Sequence, residues 1–365
     1  MIPGFLGIES TGSPFAEMWM GTHHGASSKI KGGNELIDLK DVSGDLPFLC
    51  KLIAVEKPLS IQAHPTKAQA VEGFEREEKL GLSLKNPKRC YKDVNSKPEL
   101  LCALTPFTMM AGFKEPDMIS RSLKALVSIS PAINEIVSVL LKALDTGSLN
   151  LFFKTLFNFS VHEKEFLSSF ILEKKPDIKD NGLSAKQWEL MKDFATQYFG
   201  DPAVISPIYL NLVTLQPGQA LFIPAGILHS YICGFGVELM TSSDNVLRGG
   251  LTPKYVDIGK LTDILYFVPF MPHTMSSASG TFSYHTPCKD FLLARISGNG
   301  CSAVFPENAV CIVSSGEVSA DGVIFKKGES FFLPFDEKPY IFSGDYSLFA
   351  ATSALKSEPV MTGVM

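Results

Sequence analysis

The sequence has no Cys-x-x-Cys pair, no apolar run of bilayer length and no long block of like charge. Each absence excludes something. The seven cysteines, at positions 50, 90, 102, 233, 288, 301 and 311, form an odd set, several inside apolar runs. They read as reduced thiols packing as small hydrophobes, not as a disulfide framework. A membrane helix needs about 18 consecutive apolar residues, and Met1-Ile2-Pro3-Gly4 has neither the basic nor the apolar region of a signal peptide. A cytoplasmic protein is expected. With 33 basic against 38 acidic residues the net charge is −5, which argues against nucleic acid or a membrane surface as partner but allows a local basic pocket for a small anion. At 365 residues, 45% of them hydrophobic, the chain can bury a large core and form two or three domains.

The most informative stretch is Gln216-Pro-Gly-Gln-Ala-Leu-Phe-Ile-Pro-Ala-Gly-Ile-Leu-His-Ser-Tyr231. It reads as a turn on Pro217-Gly218, a short strand Ala220–Ile223, a second turn on Pro224-Ala225-Gly226, and a strand carrying His229. A lone His on an apolar strand is ordinarily a core residue. The spacing Gly218-x5-Pro224-x-Gly226-x2-His229, however, resembles the second motif of the cupin family, in which tight turns aim one His into a small β-barrel. Such barrels enclose space for one ligand or one metal.

Further ligands are sought upstream. In Leu59-Ser60-Ile61-Gln62-Ala63-His64 the polar residues alternate with apolar ones, the period of a strand. That polar face is either solvated or able to grip an ion through Gln62 and His64. Pro65 ends the strand, and Thr66 is placed to cap a helix through about Leu80. Glu99 heads the apolar strand Glu99–Leu104; it is either a surface partner of Lys97 or a carboxylate buried because it binds metal. His23 and His24 are adjacent, so on a strand at most one could face a site.

From 115 to 200 the apolar period becomes helical. Ser130-Pro131 reads as N-cap and first residue of a helix ended by Gly147, and Ser160/Glu163 and Ser184/Gln187 fit capping boxes. This segment is expected to wall a cleft without supplying chemistry, and His162 to be solvated. Strands return after Ile205, as Tyr209–Leu215, the His229 hairpin and a separate strand Gly236–Thr241. The loop Ser242–Lys254 then carries Arg248, two glycines and Lys254, which could face an anion over a barrel mouth or simply lie in solvent. Near the C-terminus, Lys327-Gly328-Glu329-Ser330-Phe331-Phe332-Leu333-Pro334 repeats the Gly-x5-Pro turn spacing, with Pro339 where His229 would fall. Asp321-Gly322 marks a hairpin.

Taken in series, Ala16–His23, Val55–Pro65, Lys97–Leu100, the His229 hairpin and Ser243–Thr252 resemble the type I mannose-6-phosphate isomerases, also called phosphomannose isomerases. The resemblance implies a mainly β protein of two cupin-like jelly-roll barrels with a helical insertion. The catalytic cupin domain would comprise 1–114 and 201–262, the insertion 115–200, and the second barrel, without ligands, 263–365. It implies one zinc per chain on Gln62, His64, Glu99 and His229, an active-site Arg248, and a sugar phosphate as the small-molecule partner of a monomer. The reaction implied, mannose 6-phosphate to fructose 6-phosphate, moves a proton between C1 and C2 and needs a base, an electrophile and cations. Glu238 is the first candidate base and Asp244 the second; Lys97 could serve only if desolvated. Lys51, Ser60, Lys97 and Lys254 are expected to contact sugar or phosphate. A non-catalytic sugar-phosphate-binding cupin and an oxidative iron cupin are the alternatives. The family's initial strand with an aromatic-Trp-Gly pattern has no counterpart before Met1, so an altered N-terminal edge is expected.

Overall fold

The computed structural model describes residues 1–32, 35–176, 182–276, 280–298, 300–354 and 360–363. Two curled, antiparallel sheets and a helical layer account for most of them. In the first sheet the strands run in the order Thr274–Ser276, Gln219–Ile223, Glu99–Ala103, His229–Thr241, Phe48–Val55, Glu17–His23. Phe107–Phe113 and Leu210–Leu215 continue it from the other end of His229–Thr241.

Side-chain alternation divides this sheet into two faces. Ile53, Val55, Leu101, Ala103, Met109 and Leu221 fill the interior of the curl. Cys50, Leu52, Leu100, Cys102, Val237 and Leu239 face outward, where they meet Leu293, Val310, Ile312, Phe349 and Ala351 of the second sheet. The second sheet has its own interior, of residues such as Ile296, Cys311, Val313, Phe342 and Leu348. The repeated turn is visible in the backbone, since Gly218 and Gly328 adopt φ of 84° and 86°, a region that glycine enters without penalty.

Helices Pro116–Ile129, Asn134–Asp145, Leu149–Phe157, Val161–Glu173 and Ala185–Gln197 pack on a third core with Phe152, Phe153, Trp188 and Phe194. The capping boxes at Thr66, Ser160 and Ser184 all form. Ser130, in contrast, makes no side-chain cap bond, and Pro131–Ile133 is a short 3-10 turn ahead of the helix. A helical turn, Ser206–Tyr209, also precedes the returning strand, which begins at Leu210. Asp321-Gly322 turns as expected, with φ of 46° and 84° between Ala309–Ala320 and Val323–Lys326. At the N-terminal edge a short helix, Ile2–Leu6, places Phe5 against Phe235. Among the described residues no helix is long and apolar enough to cross a membrane.

Candidate metal centre and active site

One strand carries much of the site. The sequence suggests two strands, at His229 and at Gly236–Thr241, but His229–Thr241 is continuous. Its first part pairs with Gln62 and Phe107–Phe113, its second with Phe48–Val55 and Glu99–Ala103. A bulge between Tyr231 and Cys233 lies where the strand changes partners. One extra residue inverts the alternation, so odd-numbered Tyr231 before it and even-numbered Glu238 after it both face the interior. Gly234 follows at φ 138°, and a Cβ there would sit 2.7 Å from the Phe107 Cα; only glycine permits this corner.

His64, Glu99 and His229 meet in the buried interior, 2%, 1% and 1% exposed. His64 Nε2 lies 3.2 Å from Glu99 Oε1, and His229 Nε2 lies 3.2 Å from Oε2. The opposite ring nitrogens decide what these contacts are. His64 Nδ1 is 2.6 Å from the Asn245 carbonyl and His229 Nδ1 is 2.9 Å from the Ile227 carbonyl. A carbonyl only accepts, so each Nδ1 carries the proton and each Nε2 presents a lone pair. Two lone pairs then face a carboxylate, and neither Nε2 has a hydrogen-bond partner. Acceptors opposed in this way in a dry interior fit a shared cation.

The electrostatics agree. Burial and the Lys97 ammonium push His64 down to about 4, which keeps it a neutral ligand. Burial alone would raise the Glu99 carboxyl, but the Lys97 ammonium, 3.2 Å away, leads the opposing effects and holds Glu99 well below the usual range. The surface-pair reading of Lys97 and Glu99 therefore fails, because both side chains are buried. Gln62 stands opposite His229 in the ladder. The strand expected over Leu59–His64 shrinks to Gln62–Ala63, yet the alternation persists, with Ile61 and Ala63 buried and Gln62 facing the cavity.

That cavity, of about 360 Å³, is lined by Gln62, Glu99, Lys51 and Glu238. Lys97, Ser60, Arg248 and Lys254 also line it. Lys51 and Glu238 are direct partners in the ladder, with Nζ 3.1 Å from the carboxylate. Burial would lower the Lys51 pKa, but Glu238, Glu17 and Glu99 more than reverse this and hold the ammonium charged. Arg248 and Lys254 have no carboxylate within ion-pair distance among the described residues, so their charges are available to an external anion.

The remaining candidates lie apart from this cavity. Asp244 lines a neighbouring cavity with Arg248 and Lys254, and its carboxylate receives His23 and His24, each at 3.4 Å. The expectation that at most one of these histidines could face a site is overturned, because His24 lies beyond the strand Glu17–His23, in the turn. This second trio fails the test that the first passes. His23 Nδ1 accepts the Gly25 N–H at 3.1 Å, so its Nε2 carries the proton and cannot serve as a ligand without losing it. The contact with His23, with that of His24 behind it, in turn holds Asp244 below the usual carboxylate range. His162 is exposed on its helix, as expected.

Three residues of the site escape the reading of the sequence. Tyr231 reaches Glu99 Oε2 at 3.4 Å, with burial holding its phenol well above the usual value and hence neutral. Its spacing of two from His229 was a usable signal. Glu17 lies 3.6 Å from Lys51, and Tyr198, from the helical segment, lines the cavity; nothing local marks either.

Residues 3–116 match the family model "Phosphomannose isomerase type I, catalytic domain". The mannose-6-phosphate isomerase of Salmonella typhimurium is 33% identical over 361 residues, covering 91% of this chain and 89% of that protein. The human mannose-6-phosphate isomerase is 32% identical over 77% of this chain and 72% of its own. A solved zinc-bound mannose 6-phosphate isomerase superposes with a TM-score of 0.85 at 30% identity, covering 97% of this chain and 95% of that one. By sequence and fold together, the chain belongs to the type I phosphomannose isomerase family, with a cupin fold.

Proposed function

We propose that the chain interconverts D-mannose 6-phosphate and D-fructose 6-phosphate through a cis-enediol, with one zinc ion per chain. The observation that carries this reading is the buried trio of Glu99, His64 and His229, its imidazoles bare at Nε2, beside a cavity with unpaired cations. Gln62, His64, Glu99 and His229 would hold the zinc. When bound, the ion supplies Lewis acidity toward the sugar oxygens.

The chain's own groups do the rest. Glu238 is the base that takes the proton from C2 of the aldose and returns it at C1. Lys51 stays protonated and fixes the Glu238 carboxylate through the 3.1 Å contact. Arg248 meets the negative charge that grows on the enediol oxygens, an interaction stronger in the transition state than in the substrate. Lys254 and Ser60 take the phosphate and sugar hydroxyls. Lys97 is tied to Glu99 and acts as a fixed charge beside the ligand set, which leaves it a weaker candidate for proton transfer. Asp244 ranks behind Glu238 because two imidazoles engage it outside the cavity.

A non-catalytic sugar-phosphate module would have no need for a buried carboxylate such as Glu238 beside the ligand set. An oxidative iron cupin would be expected to leave more positions open for oxygen than Gln, two His and Glu allow. The test is a coupled assay on mannose 6-phosphate with zinc content measured alongside. Turnover should vanish on chelation and return with one equivalent of zinc. A zinc-loaded protein that leaves mannose 6-phosphate unchanged would sink the proposal.

A further inference from the structure

We infer that Asp201, at the end of the helical segment, is a positioning residue for the loop that carries Lys254, an inference that rests on the reading of Lys254 as a phosphate contact. After Leu247–Arg248 the chain turns through Gly249, Gly250 and Leu251. Leu251 sits at φ 51°, in the left-handed region, where the Cβ of any residue but glycine is crowded by its own backbone. Such a conformation persists only where its surroundings fix it. On one side the loop is tied to the ligand-bearing segment, since Gly249 N–H donates to the Ile61 carbonyl at 2.7 Å and Ile61 N–H donates to that of Gly250 at 3.0 Å.

On the other side stands Asp201. Its Oδ2 accepts the Leu251 N–H at 2.7 Å. A Cβ on Gly250 would lie 2.4 Å from the Ala203 Cβ and 3.0 Å from Asp201 Oδ1, so the loop backbone lies directly against this corner. Among the described residues no cation is within ion-pair distance of Asp201, and backbone N–H groups meet its charge. The plain reading is a cap for the 3-10 turn Pro202–Ile205, through Oδ1 and the Ala203 N–H at 2.8 Å. That bond uses one oxygen; the other is committed to the loop.

The geometry separates two effects. Arg248 precedes the glycines and is held by its own pairing with Gln62, whereas Lys254 follows the clamped residues. Loss of the clamp should therefore act on phosphate binding and spare the chemical step. The Asp201 N–H also donates to the Tyr198 carbonyl at 3.0 Å, so one corner of the helical segment both walls the cavity and sets the loop.

The experiment compares zinc-loaded parent, Asp201→Ala, Asp201→Asn, Lys254→Ala and the double substitution Asp201→Ala with Lys254→Ala. Mannose 6-phosphate is used both for steady-state kinetics and for calorimetric affinity. Asp201→Ala should raise KM and the dissociation constant about tenfold or more while kcat stays within about threefold. Asp201→Asn keeps one acceptor, should show a smaller rise, and carries the same test if Asp201→Ala does not fold. The double variant should match Lys254→Ala within about twofold, because a clamp with nothing to position has no further effect. A fall in kcat with KM unchanged, or KM effects that multiply in the double variant, would assign Asp201 to the fold alone and overturn the inference. If Lys254→Ala leaves KM and affinity unchanged in an active parent, the phosphate reading of Lys254 fails and the inference falls with it; in that case Asp201→Ala binds as the parent does.

Discussion

Replacing Glu99 with Gln removes the only negative charge from the proposed ligand set while keeping its size. The carboxylate lies 3.2 Å from each imidazole Nε2 and 3.2 Å from the Lys97 ammonium. At an effective dielectric of about 20, one charge pair at this distance is worth roughly 5 kcal/mol before desolvation is counted. Removing one member of a buried pair costs about 3–5 kcal/mol in practice. If zinc affinity loses that amount, the dissociation constant rises by about 10² to 10⁴, at 1.36 kcal/mol per factor of ten. The assay is zinc content after equilibrium dialysis against chelator-buffered zinc, with turnover measured on the same samples. Activity should track occupancy across the series. A Gln variant that binds zinc within about threefold of the parent would show that the buried trio is not the metal centre, and the tautomer argument behind it would be wrong.

Arg248→Ala should lose about 10²–10³ in kcat with little change in KM, and Arg248→Lys should recover part of it, since an ammonium keeps charge but not the planar fork; a raised KM with kcat retained would move Arg248 to substrate binding. His162→Ala should leave kcat/KM within a few-fold of the parent, and a hundredfold loss in a folded variant would mean that a catalytic group lies in the helical layer. Lys114 is buried with one carbonyl partner, Pro207, and burial lowers its pKa from 10.5 to about 8. Below about pH 8 the native state carries the buried charge at a cost, so stability should rise between pH 8 and 10.5, where the unfolded chain binds more protons. Lys114→Met should therefore be more favourable at pH 7 than at pH 10, by about 1–3 kcal/mol in denaturant unfolding; a gain independent of pH would refute this.

The elements that bring His64, Glu99 and His229 together were legible because their signals are local. Tight turns with glycine at positive φ, alternating polar residues and a carboxylate at the head of an apolar strand each require only a few neighbouring residues to be seen. The barrel pairing was legible for the same reason, through the repeated turn at Gly328. What stayed hidden depends on residues distant in the chain. No local pattern announces the bulge after Tyr231, which decides that Glu238 faces inward, because a strand's phase is set by its partners. Glu17 and Tyr198 reach the cavity by tertiary placement alone. The pairing of His23 with His24 at Asp244 was misjudged because strand alternation ends one residue before His24.

The apolar seam between the two sheets bears on how the molecule comes apart. Seven buried residues of the second sheet and its flank, Tyr284, Phe291, Leu293, Val310, Ile312, Phe349 and Ala351, close against the outer face of the first. Baring such a set to water costs on the order of 10 kcal/mol, comparable with the roughly 5–15 kcal/mol that separates a whole folded protein from its unfolded ensemble. Neither sheet can then melt while the other stands. A protein whose two sheets share such a seam should behave in calorimetry as a single cooperative unit, the second sheet acting as a thermodynamic counterweight that holds the half with His64, Glu99 and His229 closed.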